Sequence, residues 1–323
     1  MPNEKILFNF KTMNNFALKL VKEKDCLSLK IHDLIKLPET EFKNLKKQSL
    51  YEKGKYYHKS QRGMLRLSKY EFSSSEKYRN ILLKKHDIEI LKVDSNFDYA
   101  QSKSPDQKIW YMNFSDKEIF TNWDSEASSL SDLQMIEMPL LHKVNQYLNS
   151  DNYTFFTPTT FYKDWKYTYP TPILLEKVPQ WYEIKNPADI GKSIPITMDK
   201  FNNLICMVAP NVVSGEYLEG HLYYLCATLF AGFGGIVGQG IKSKVKNIEL
   251  HTGNWGCGNL GNVPELMYLS QMLVASIMGF KKIYFHRVDG EAFESAKRKF
   301  EVIVEEFSYE ELVAYLLAQG YRK

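Results

Sequence analysis

Cysteine is scarce in this chain, with four in 323 residues, and none of Cys26, Cys206, Cys226 and Cys257 forms a C-x-x-C pair or joins a Cys/His cluster at ligand spacing. That excludes a zinc site or a disulfide framework and points to free thiols in a reducing compartment. No metal or cofactor is expected. Charge of one sign is not in large excess either, the formal net being +4. Zinc-finger spacing, an RNA-recognition aromatic motif, a basic zipper and any internal repeat are all missing, so nucleic acid binding has little support. A secretory signal core is missing too, because Glu4, Lys5 and Lys11 interrupt the apolar residues of the N-terminus.

One stretch lacks Lys, Arg, Asp and Glu altogether, His221 to Ile241. Its length would allow a membrane span, but five glycines and Gln239 interrupt it. It reads as a buried helix from about Glu219 to Phe230 followed by a glycine-rich turn, and no membrane is expected. A soluble, cytoplasmic-type protein with a sizeable core follows from 44% hydrophobic and 25% charged residues, a monomer being favoured.

Residues 1–90 read as a basic, mainly helical region, with Asn14 to Lys24 and Ser75 to Asp87 at helical spacing. The first hundred residues hold 21 Lys/Arg against 13 Asp/Glu, a charge that fits a solvated helix surface. From residue 91 to 323 short β-rich runs alternate with helices. Lys108 to Phe114, Asn203 to Val213, Val245 to Leu250 and Lys281 to His286 are strand candidates. Leu130 to Leu148, Glu219 to Phe230, Pro264 to Met278 and the tail Phe300 to Lys323 are helix candidates. Such alternation predicts a three-layer α/β/α domain around a mixed, largely parallel sheet.

Between the last two strand candidates, four glycines fall in nine residues, "GNWGCGNLG" from Gly253 to Gly261. A strand ends near His251, and a helix opens with Asn262 as its expected N-cap and Pro264 and Glu265 in its first turn. Glycines let the backbone approach a diphosphate. The exposed N–H groups donate to its oxygens, and the helix N-terminus adds about half a positive charge. Gly256, Gly258 and Gly261 also spell G-x-G-x-x-G, which raises a dinucleotide oxidoreductase as a competing reading. Only 62 residues follow Gly261, and the next strand ends in His286 and Arg287 rather than an acid, both against that reading.

The run "TGNWGCG" (Thr252 to Gly258), then Gly261-Asn262, "PELMYLSQMLVA" and "IYFH", resembles the diphosphate loop of poly(ADP-ribose) glycohydrolase-like macrodomains, with seven consecutive identities. The resemblance implies an ADP-ribose site at Thr252, Gly253, Asn254, Trp255, Gly256, Cys257, Gly258, Asn259 and Gly261. Upstream, Asn113 to Leu141 fits the family's catalytic-loop frame without a gap. Phe114 matches its Phe, Asp116 falls on an Asn, Asp132 on the second Glu, Leu133 on the Ile and Pro139 on the Pro. Asn113, Phe114, Asp116 and His286 are thereby implied as further ADP-ribose contacts. Phe120-Thr121-Asn122 replaces a triple glycine and Leu130-Ser131 replaces Gln-Glu, which argues against cleavage of poly(ADP-ribose) chains.

What remains is similar to a divergent bacterial, effector-type branch that removes single ADP-ribose units from arginine. The implied catalytic carboxylates are Asp132, Asp124 and Glu137. A glycosidic bond breaks through an oxocarbenium-like state, which calls for a carboxylate to manage protons and others to stabilise charge. In a continuous helix Asp132 and Glu137 point about 140° apart. Asp124 is therefore the better partner for Asp132, and Glu137 is left to hold the loop or the ribose. The expected function is an ADP-ribosylhydrolase acting on ADP-ribosylated protein, with a non-catalytic ADP-ribose reader as the alternative. The glutamate-rich tail resembles translocation signals of secreted bacterial effectors, so delivery into a host cell is also implied.

Overall fold

The computed structural model describes residues 21–37, 45–72, 82–115, 119–121, 129–150, 170–185, 193–212 and 215–322. The apolar runs become the strands of one eight-stranded sheet in the order β1-β2-β6-β9-β5-β10-β11-β4. Its parallel block consists of β9 (Phe201–Met207), β5 (Gln107–Phe114), β10 (Asn247–Thr252), β11 (Lys282–His286) and β4 (Glu89–Val93). Antiparallel pairing adds β6 (Ile173–Pro179), β2 (Met64–Phe72) and β1 (Val21–Lys30) on the far side of β9. Short strands β7 (Tyr182–Glu183) and β8 (Ile194–Pro195) pair with each other, as do β3 (Leu82–Lys84) and β12 (Glu306–Ser308).

Both faces of the sheet are buried, as its continuous apolar strands demand. Trp110, Met112, Ile205, Met207, Leu250 and Phe285 face one layer of helices: α5 (Glu219–Lys242), α6 (Pro264–Ile277), α7 (Gly290–Val302) and α8 (Tyr309–Ala318). Tyr111, Leu204, Cys206, Leu67 and Leu175 face the other: α1 (Ile31–Lys36), α2 (Leu45–His58), α3 (Leu130–Glu137) and α4 (Leu140–Ser150). This is the expected three-layer macrodomain-like arrangement.

Several elements differ from the sequence reading. The region before residue 90 holds α1 and α2 but also β1, β2 and β3, and β1 and β2 extend the main sheet. Val21 to Lys24, read as the end of a helix, is strand instead, its backbone satisfied by pairing with β2. Leu82–Lys84 likewise pairs with β12. The helix expected over Leu130 to Leu148 divides at Met138-Pro139 into α3 and α4, since Pro139 cannot supply the amide a continuous helix needs. The tail expected as one helix is α7's last turn, β12 and α8.

The glycine-rich turn expected after Phe230 is helix. α5 runs unbroken through it, 24 residues in all, and its glycines serve packing. A Cβ on Gly232 would lie 2.5 Å from Met207 Sδ, on Gly235 2.8 Å from the Tyr70 ring, and on Gly234 closer still to Val21 Cγ2. Helix and sheet approach too closely there for any side chain, and that gain offsets glycine's cost of about 1 kcal/mol per helical position. α5 is long and apolar enough to cross a membrane, yet it is buried between the sheet, α6 and α8, as a core helix is.

Candidate functional site

The strands of the parallel block bring their carboxyl ends to one rim, where ligands of open α/β sheets bind. β5 delivers Phe114 and Ser115, β9 delivers Val208 and Ala209, β10 delivers Thr252 and Gly253, and β11 delivers Arg287. β5 is followed by α3 on one face and β10 by α6 on the other, so the two connections part above the β5–β10 pair.

The loop after β10 is closed by its own backbone. Trp255 N donates to Gly253 O (2.8 Å), Cys257 N to Asn254 O (3.0 Å), Gly261 N to Gly258 O (2.8 Å) and Asn262 N to Gly256 O (3.0 Å). Gly256 (φ 74°) and Gly261 (φ 59°) take the left-handed conformation that a side chain resists. Trp255 is buried and anchors the loop from below, its Nε1 donating to Met207 O (3.1 Å). Thr252 is buried as well, with Oγ1 donating to Gln271 Oε1 of α6 at 2.5 Å. Gly253 lies so close to β11 that a Cβ there would sit 2.7 Å from His286 O, with Leu130 of α3 and Phe114 just beyond. Asn254 ties the loop sideways, donating to Arg287 O (2.8 Å) and accepting from the Tyr268 hydroxyl. Burial pushes the Cys257 thiol up to about 12, so it stays protonated. Gly258 and Asn259 are exposed, and a Cβ on Gly258 would meet open space.

The helix after this loop is capped differently from the sequence reading. Val263, not Asn262, is the N-cap of α6, with Pro264 opening the first turn. Asn262 is buried and spends its side chain on the loop, donating to Pro210 O (2.8 Å) and Gly256 O (3.1 Å).

α3 forms the opposite wall. It opens with a capping box: Ser129 Oγ accepts from Asp132 N (3.1 Å), while Asp132 Oδ2 accepts from Ser129 N (2.9 Å) and Oγ (2.8 Å). Two bonds moor it to β5: Phe114 N donates to Ser131 Oγ (2.7 Å), and the buried Asn113 donates to Gln134 Oε1 (2.9 Å). Asn113 Oδ1 in turn accepts from Ser115 Oγ (2.6 Å). Phe120, aligned by the resemblance with the first glycine of a triple glycine, is buried and holds φ 64°. A backbone shape suited to glycine is held there under a bulky residue, at a cost of about 1–2 kcal/mol.

Glu137 sits at the other end of α3. Its Oε1 accepts from Ile184 N (3.1 Å) and its carbonyl from Trp181 N (2.8 Å), so it clamps the segment after β6. Burial raises the carboxyl to about 8, and the Ile184 amide only partly offsets this. The Tyr99 hydroxyl, fully buried, stands beside Glu137 and Gln134 at a geometry too loose for a full hydrogen bond. Asp132 and Glu137 thus serve separate partners. Asp124 and Asp116 lie outside the described residues.

His286 is buried beneath the rim. Its Nδ1 faces Ser95 O (3.0 Å), which can only accept, so Nδ1 carries the proton and Nε2 accepts from His251 Nδ1 (2.9 Å). Burial lowers both imidazoles, His251 to about 3, and the pair is neutral. His251 stacks on Tyr284 (4.3 Å between centroids) and packs on Tyr111 (4.6 Å), its register neighbours in β11 and β5. At this strand end it is the exposed Arg287, held at φ 51°, that reaches the surface.

Residues 225–294 match the family model for poly(ADP-ribose) glycohydrolase, macro domain fold. Over this segment the chain is similar to poly(ADP-ribose) glycohydrolase-like macrodomains. The matched segment spans most of α5, all of β10, α6 and β11, and the start of α7, so it contains the whole glycine-rich loop. Among solved structures, the chain is similar to a point mutant of the poly(ADP-ribose) glycohydrolase from Thermomonospora curvata, at 14% identity over 66% of this chain and 79% of that one, TM-score 0.45. It is also similar to the Deinococcus radiodurans poly(ADP-ribose) glycohydrolase in complex with ADP-ribose, at 15% identity over 67% and 86%, TM-score 0.45. With a point mutant of the Deinococcus protein, likewise in complex with ADP-ribose, the likeness extends over 94% of this chain and 98% of that one at 12% identity, TM-score 0.44. No curated protein matches the chain. Among the described residues, no group of three or more His, Cys, Asp or Glu is placed to hold a metal ion.

Sequence reasoning misses Gln134, Ser131, Gln271, Tyr268 and His251. Each is an ordinary polar residue inside a helix or strand, and only the fold turns it towards the rim. The alternation of Asn113 with Tyr111, and of His251 with Glu249, is the available signal for one shared face.

Proposed function

We propose that this macrodomain binds ADP-ribose in the loop after β10 and hydrolyses the glycosidic bond joining a single ADP-ribose to protein, at arginine. The observation that carries the reading is the self-closed loop from Thr252 to Gly261, opening onto the N-terminus of α6 beside the capped N-terminus of α3. Backbone amides and a helix N-terminus suit a diphosphate, and the matched family model is that of a glycohydrolase. In this reading Asp132 manages the proton at the anomeric carbon with Asp124 as its partner, and Glu137 braces α3 through Ile184. Loss of the triple glycine, with the buried Phe120 in its place, favours a single unit over a polymer. The Asp132 carboxylate at the start of α3 suits the cationic guanidinium of a modified arginine. Delivery into a host cell as an effector belongs to the same reading and rests on the glutamate-rich tail alone.

A second reading, a non-catalytic ADP-ribose reader, is favoured by one observation: the Asp132 carboxylate already serves as the cap acceptor for Ser129. A dinucleotide oxidoreductase is not proposed, because β10 is followed in the main sheet by β11 alone.

The test is calorimetric titration of ADP-ribose into wild type and Asp132→Asn, with release assays on arginine-, glutamate- and serine-modified proteins. Asparagine keeps an oxygen for Ser129, so folding and binding are expected to persist. Release from the arginine-modified protein by wild type alone supports the hydrolase, binding without release from any substrate supports the reader, and no binding overturns both.

A further inference from the structure

The Gly256–Gly261 turn is shaped by glycines, and glycines alone do not hold a shape, because they permit many. What fixes its far end is one phenol. Tyr217, in the segment leading into α5, is buried and donates through Oη to Asn262 Oδ1 (2.9 Å). The same oxygen accepts from Val263 N (2.9 Å), the amide of the α6 N-cap, which has no partner within the helix. Asn262 passes the constraint on, since its Nδ2 reaches both Gly256 O and Pro210 O. Through two side chains the turn, the start of α6 and the segment after β9 are joined. Burial raises the Tyr217 phenol to about 12, so it keeps its proton and can donate and accept at once.

The mounting of Tyr217 is itself braced from the C-terminal end. Glu216 pairs with Arg322 across a backbone bridge (3.2 Å between side chains), and Tyr321 Oη donates to Glu265 Oε1 (3.0 Å) in the first turn of α6. Lys299 pairs with the same Glu265 at 2.5 Å. The tyrosine ring packs edge-on against His221 of α5, 6.3 Å between centroids.

We propose that Tyr217 and Asn262 form a latch that holds the Gly256–Gly261 turn in its ligand-binding shape, making Tyr217 a positioning residue for the diphosphate of ADP-ribose. The inference rests on the functional reading above. It predicts that losing the latch costs affinity rather than chemistry.

The experiment compares wild type, Tyr217→Phe, Asn262→Ala and Tyr309→Phe in the full chain. Tyr309 is the matched control, a buried tyrosine whose hydroxyl donates to a backbone carbonyl, Tyr223 O, elsewhere (2.9 Å). Calorimetry with ADP-ribose is expected to show about a tenfold weaker Kd for Tyr217→Phe and Asn262→Ala and no change for Tyr309→Phe. Hydrogen exchange across residues 256–263 is expected to quicken in the two latch variants alone. In turnover on arginine-modified protein, KM should rise while kcat stays within about twofold. An unchanged Kd and exchange rate in Tyr217→Phe overturn the latch while leaving the function intact. Equal losses in Tyr309→Phe, or failure of both latch variants to fold, overturn it too, since the role is then structural support. No ADP-ribose binding by wild type overturns the functional reading and the latch together.

Discussion

The two connections that meet at the rim, the loop after β10 and the wall begun by α3, differ in how much of their closure is local backbone bonding. The first is closed by backbone bonds spanning two to six residues, among them Cys257 N to Asn254 O and Asn262 N to Gly256 O. The second is held by side chains that reach across 17 to 47 residues, from Phe114 to Ser131, Asn113 to Gln134 and Glu137 to Ile184. A site wall made from contiguous residues appears as a motif in the chain. A wall made from distant partners leaves no such motif.

If the β10 loop is self-contained, its largest weakness is the anchor beneath it. Trp255→Ala removes a buried indole and leaves Met207 O without its donor, and is expected to lower stability by about 3–5 kcal/mol. Chemical denaturation should show it, and ADP-ribose binding should disappear at temperatures where the variant is still folded. Gly256→Ala comes next. Its Cβ would press into Ala209 Cβ from a backbone held at φ 74°, so a loss of about 3 kcal/mol is expected. Loss of less than about 1 kcal/mol would mean that the turn relaxes freely and is not the rigid half of the pair.

The α3 side responds to pH. Glu137 titrates at about 8 in the folded chain against about 4.3 for an ordinary glutamate, so the folded state holds its proton more tightly than the unfolded state. That contribution to stability is fully present below about pH 4 and is lost as pH rises through 8. Lys200 favours the charged form, while Glu183 disfavours it. Glu137→Gln keeps an acceptor for Ile184 N and removes the ionisation. It should therefore raise stability by about 2–3 kcal/mol at pH 8 and change little at pH 4, read from denaturation midpoints at the two pH values. The buried neutral His251–His286 pair acts in the other direction. Its contribution is present above about pH 6.5 and fades as acid is added, because the unfolded chain takes up the protons first.

The same contrast explains what can be read from the chain. β5, β10, α6 and β11 announce themselves, since an apolar run or a Pro at the first helical position is local information. Asn262 misleads because an N-cap is the default for an asparagine before a helix, and only the distant Tyr217 reveals a better use. The sequence cuts α5 short for a similar reason. Glycine signals a turn unless a sheet lies where the side chain would be, as Met207 and Val21 do here. In β1 the charged residues of "VKEKDCLSLK" occupy an edge strand that only one neighbour covers, so its pattern mimics a polar helix. The carboxylates are legible as residue types, but their partners, Ser129 three positions away and Ile184 forty-seven away, are not.

The smallest expected stability effect gives the sharpest test of the loop as a ligand cradle. Gly258 has ordinary φ and nothing within 4 Å of where a Cβ would stand, so Gly258→Ala should fold with stability within about 0.5 kcal/mol of wild type. The added methyl would stand in the open space that the exposed turn presents. If that space receives a diphosphate, ADP-ribose affinity should fall at least about tenfold in calorimetry with no change in melting temperature. Gly256→Ala would lose both properties, whereas Gly258→Ala would lose binding alone. That separation is what a preformed cradle requires, because the glycine that shapes the turn and the glycine that leaves room for the ligand are two residues apart and do different work. Unchanged affinity in Gly258→Ala would move the ligand away from the outer half of the loop, towards Gly253 and the start of α3.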